Sequence, residues 1–172
     1  MVAVSLKNSR NAIFSGLLPA QMWKQHPELW QETTGDERTR NRFERQFLEL
    51  QLERLSATPA KGLKYLKIYD VDEAHATLRQ INSFAGLSMV AMVFNFIDIL
   101  AHGRSESEIL QELAPDEAAF RAVMKAWFTH SPLYEILQAL STQDCTTVIT
   151  TDHGAVLGRR AALVHGNRDT SS

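Results

Sequence analysis

The segment from Cys145 to Gly154 constrains the fold of this chain more than any other stretch of its sequence. Residues 146–151 are β-branched threonine, valine and isoleucine without a helix breaker, which predicts a β-strand. Gly154 allows a sharp turn directly after this strand, because glycine adopts backbone conformations that strain other residues. Asp152 and His153 therefore stand at the carboxyl end of a predicted strand, where both side chains can face one point.

This Asp–His pair has two interpretations. Carboxylate oxygen and imidazole nitrogen are ordinary zinc ligands, so the turn can form one corner of a metal site. Alternatively, Asp152 caps the turn and His153 is solvated, since such pairs are common in turns. The residues of the turn leave both interpretations open.

Length and composition indicate one domain, or most of one. The 172 residues are 44% apolar, which is enough for a core, and their net charge of −2 comes without a run of lysine and arginine. Duplex DNA is therefore not an expected partner. Cys145 is the only cysteine, which excludes an intrachain disulfide and fits a reducing compartment. The longest apolar run, residues 84–101, is interrupted by Ser88, Asn95 and Asp98, so we predict a cytoplasmic protein without a membrane contact.

Predicted strands alternate with predicted helices, which indicates an α/β layered fold with a mostly parallel sheet. The strand over residues 88–97 is nearly all apolar, as expected of a central strand covered on both faces. The charges of the helix over residues 37–55 are interpreted as a solvated face. The other predicted strands lie at 63–69 and 146–151, and a hairpin or extra strand is predicted at 156–164. The other predicted helices lie at 11–18, 19–25 and 72–84, and three more begin near Ser105, Pro115 and Ser131.

A second Asp–His pair follows the strand over residues 88–97. Asp98 and His102 are four residues apart, so one helical turn would place both side chains on the same side. Alternatively, Asp98 caps the turn and His102 packs beside it. Two such pairs, each after a strand, indicate two metal ions that share a bridging phosphate. We expect Asp98, His102, Asp152 and His153 to converge at the strand carboxyl ends on one edge of the sheet.

The two motifs also resemble those of a known family. Residues 95–102 and 150–154 resemble the metal-binding motifs of the alkaline phosphatase superfamily, and most closely those of its PglZ-domain branch. Four further segments, in matching order, resemble the PglZ domain of PorX-type response regulators: residues 9–17, 113–119, 127–133 and 166–170. The resemblance extends over about residues 9–170.

This resemblance implies a three-layer α/β/α, alkaline-phosphatase-like fold and a two-zinc phosphodiesterase that acts on nucleotide or oligonucleotide phosphoesters. Asp98 and His102 match the ligands of one zinc ion, and Asp152 and His153 match those of the other. No catalytic nucleophile is identifiable, because the family places it upstream of Ser9, where this sequence departs from the family pattern.

The resemblance also implies a setting for the chain. PorX-type proteins are two-component response regulators linked to type IX secretion, so the expected partners are a receiver domain in the same chain, a sensor kinase and a second copy. Residues 1–172 are then part of an incomplete PglZ domain, which we expect to be inactive alone. The alternative is a non-catalytic signalling or protein-interaction domain that keeps a vestigial or structural metal site.

Three further polar residues lie in or next to the matching segments. Asn95 either lines the site or satisfies the backbone near the strand end. His130 is expected to support the local structure or to orient a metal ligand. Asn11 follows the expected nucleophile position, where it contacts phosphate or caps a helix.

Overall fold

The structure is a computed structural model that describes residues 9–29, 42–96, 100, 103 and 107–153. These residues belong to two compact units. The N-terminal unit comprises the described residues up to Thr58 together with residues 150–153. The sheet unit comprises the described residues within Pro59–Ile149.

The described part of the N-terminal unit contains three helices: α1 (Ser9–Ser15), α2 (Pro19–Gln25) and α3 (Glu44–Arg54). Helix α1 ends at Gly16, whose φ of +61° is left-handed and whose amide donates to the Ala12 carbonyl at 2.8 Å. Pro19 opens α2, because its fixed φ suits the first helical turn. These helices confirm the sequence predictions, except that α1 ends three residues before Leu18 and residues 37–41 of the third predicted helix lie outside the described residues.

The sheet unit is organised around two parallel strands, β1 (Leu63–Ile68) and β2 (Met89–Phe94). Leu63 lies opposite Met89, and Ile68 lies opposite Phe94. A parallel pair requires a crossover connection, which α4 (Val71–Gln80) and the 3-10 helix Ile81–Phe84 provide. The predicted strands over 63–69 and 88–97 are thus confirmed in type and direction.

Three helices follow β2 in the described sequence: α5 (Glu108–Leu113), α6 (Glu117–Thr129) and α7 (Pro132–Ser141). Each begins after a polar residue whose side chain accepts a hydrogen bond from the first turn: Ser107, Asp116 and Ser131. The sequence prediction for the last two helices is confirmed, whereas Ser105, the predicted start of the first, lies outside the described residues.

The core of the sheet unit lies between α4, the 3-10 helix and α7. It is centred on Ile81, Phe84 and Ile136, and partly buried apolar residues pack around them: Leu66, Leu78, Leu87, Val90, Met92, Phe94, Ala139 and Leu140. All six residues of β2 are half-buried, so full coverage of both faces of this strand stays a prediction. The α/β class and the parallel sheet are confirmed, and the three-layer arrangement stays a prediction.

The predicted strand over residues 146–151 is absent from the described structure. These residues have no regular secondary structure, and Val148 and Ile149 are 82% and 76% exposed. The physical reason is that β-branched residues favour a strand only where they can pack on a pleated, half-buried surface. The described sheet consists of β1 and β2 alone, so residues 146–151 have no such surface there. The prediction for residues 156–164 lies outside the described residues.

Within the described residues, no helix combines the length and the apolar composition that crossing a membrane requires.

Candidate metal centre

Asp152 and His153 form a half-buried turn in the N-terminal unit. The side chains of Asp152 and His153 are 23% and 28% exposed, and Nε2 of His153 lies 3.8 Å from Oδ1 of Asp152. The Thr151 hydroxyl donates a hydrogen bond to the His153 carbonyl at 2.7 Å, which closes the turn. The turn therefore exists although the residues before it form no strand.

The distance between the donor atoms of Asp152 and His153 suits a metal ion that both side chains bind. Two donors that bind a tetrahedral zinc ion at ~2.0–2.1 Å stand about 3.3 Å apart. The observed 3.8 Å between Asp152 Oδ1 and His153 Nε2 needs only a small side-chain adjustment to reach this value. A carboxylate oxygen and an imidazole nitrogen are also ordinary zinc ligands, so these two residues fit two of the three or four protein ligands that zinc normally takes.

The second predicted pair, Asp98 and His102, lies outside the described residues. The expected convergence of the two pairs therefore stays a prediction. Among residues 9–29, 42–96, 100, 103 and 107–153, no group of three or more His, Cys, Asp and Glu residues is arranged to hold a metal ion.

Asn95 marks the carboxyl end of β2 in the sheet unit. It is buried, and its backbone N–H donates a hydrogen bond to the Ile68 carbonyl at 3.3 Å, which extends the pairing with β1 by one residue. The next residue, Phe96, stacks on Trp127 of α6 with ring centroids 3.8 Å apart and an interplanar angle of 4°. The backbone of Asn95 thus takes part in the sheet, and the two roles predicted for its side chain stay predictions.

His130 ends helix α6 and bonds to that helix. Its Nδ1 lies 2.8 Å from the Ala126 carbonyl, and because a carbonyl only accepts, Nδ1 carries the proton there. The Ala126 carbonyl, one of the last four of the helix, also accepts a hydrogen bond from the Thr129 hydroxyl at 3.1 Å. This is a local structural role for His130, one of the two that the sequence predicts.

Asn11 lies in α1, half-buried, beside a charged pair that sequence reasoning missed. Arg10 Nε is 2.9 Å from Glu44 Oε1, and the side chain of Glu44 is fully buried. The interpretation of the α3 charges as a solvated face is therefore wrong for Glu44. Its spacing carries the missed signal, because residues three and four positions later, Phe47 and Leu48, are also buried and share its face of the helix.

Comparison with known proteins places this chain among alkaline-phosphatase-like domains. A family model described as the BREX system PglZ alkaline phosphatase-like domain matches residues 2–172. A search of curated proteins found no match. The family match spans both the Asp152–His153 turn and the segment that contains Asp98 and His102.

Proposed function

The chain belongs to the PglZ family of alkaline-phosphatase-like domains, and on this premise we propose that it is part of a zinc-dependent phosphodiesterase. Family membership points to phosphoester hydrolysis. The observation that carries the proposal to a metal-dependent mechanism is the half-buried Asp152–His153 turn, whose two donor atoms lie 3.8 Å apart.

In this proposal, Asp152 and His153 hold one zinc ion, and Asp98 and His102 hold a second. Zinc, when bound, supplies Lewis acidity toward the phosphoryl oxygens of the substrate. Asp152 contributes the negative charge that favours a cation in this turn, and His153 contributes a neutral imidazole nitrogen. Both side chains are partly exposed, as access by a substrate requires.

The proposed substrates are nucleotide or oligonucleotide phosphoesters, and the proposed setting is a cytoplasmic response regulator linked to type IX secretion. The order of the matching segments, from residues 9–17 to 166–170, supports this part of the proposal. A receiver domain in the same chain, a sensor kinase and a second copy are the corresponding partners. The catalytic nucleophile is proposed to lie upstream of Ser9.

The test is zinc-dependent hydrolysis of a chromogenic phosphodiester by the complete native chain and its Asp152→Asn variant. Loss of residues that merely orient a metal ligand already costs about 10- to 100-fold. We therefore expect Asp152→Asn to lower kcat/KM by at least about 100-fold. Asp144→Asn is the matched control, because it makes the same change at an exposed position.

Equal activity of the Asp152→Asn and Asp144→Asn variants would contradict the proposed role of Asp152. Absence of zinc-dependent turnover by the complete native chain would instead favour a non-catalytic signalling or interaction domain. In the same assay, we expect residues 1–172 alone to show little turnover.

A further inference from the structure

We draw no further inference here: the strongest candidate, the cavity of about 290 Å³ that the last residues of α1 and α2 form with α3, carries none, because its arginine, Arg54, donates to the Ser15 carbonyl at the end of α1 and nothing in the described residues shows which ligand the cavity would hold.

Discussion

Two segments of this chain are rich in β-forming residues, and only one of them is a strand in the described structure. Met89–Phe94 forms β2, which pairs in parallel with β1 and contributes Val90, Met92 and Phe94 to the packing around the core. Residues 145–151 are all exposed and have no regular secondary structure. The difference lies in the surroundings of the two segments, since both contain several residues that favour strands.

The comparison shows what a strand requires beyond its own composition. Strand β2 has a parallel neighbour for its backbone, and α4 and α7 border the core that its side chains contact. Segment 145–151 begins four residues after the end of α7, and its apolar side chains, Val148 and Ile149, are largely exposed. Strand formation therefore depends on a pairing partner and a buried face, which the sequence of a segment does not contain.

The largest effect that would sharpen this comparison comes from one side-chain deletion made at two positions. Ile68 in β1 is 4% exposed, whereas Ile149 is 76% exposed. We expect Ile68→Ala to lower the free energy of unfolding by about 2–5 kcal/mol, because it leaves a cavity in packed surroundings. Ile149→Ala should change it by less than about 0.5 kcal/mol. Urea denaturation of both variants measures the difference.

Comparable losses for the two variants would break the comparison. They would mean that Ile149 is buried in the folded protein and that its segment is packed like a strand. A change in the urea dependence would separately reveal an altered denatured state, so the midpoint and the slope are both needed.

Local signals in the sequence predicted most of the elements of this fold. Asp116 and Ser131 begin helices because their side chains accept from backbone amides three residues later, and Pro19 opens α2 through its fixed φ. Such effects act within one helical turn, so they are visible in the sequence itself. The burial of Glu44 against Arg10, 34 positions earlier in the numbering, depends on tertiary packing and was not predicted.

The candidate site was predicted to a lesser extent, for the same reason. Asp152 and His153 are adjacent in the sequence, so their proximity depends only on local structure, and their donor atoms lie 3.8 Å apart. The expected convergence with Asp98 and His102 depends on how distant strand ends meet. His130 illustrates the intermediate case, because its bond to the Ala126 carbonyl is local but nothing in its sequence separated this role from support of a metal ligand.

A smaller expected effect is the reactivity of the Cys145 thiol, at the first residue of segment 145–151. Cys145 is exposed and is the only cysteine in the chain, so it reports on this region alone. We expect its thiol in the native protein to react with a chromogenic thiol reagent at a rate comparable to that in urea. In a Cys145→Ser background, the thiol of Ala91→Cys, placed in the half-buried strand β2, should react more slowly.

A native Cys145 that reacts far more slowly than in urea would contradict this expectation. It would indicate that the start of the segment is covered in the folded protein, and the contrast with β2 would disappear.

The central claim is that the turn at the end of this exposed segment binds a metal ion, and zinc affinity of the complete chain tests it most directly. Competition with a chelating dye would compare the native chain, His153→Ala and the control His75→Ala, which removes an exposed histidine of α4. We predict that His153→Ala weakens zinc binding by at least about 100-fold, because it deletes a ligand rather than a residue that orients one. His75→Ala should leave the affinity unchanged. Equal zinc affinities of the His153→Ala and His75→Ala variants would contradict the claim that His153 is a metal ligand.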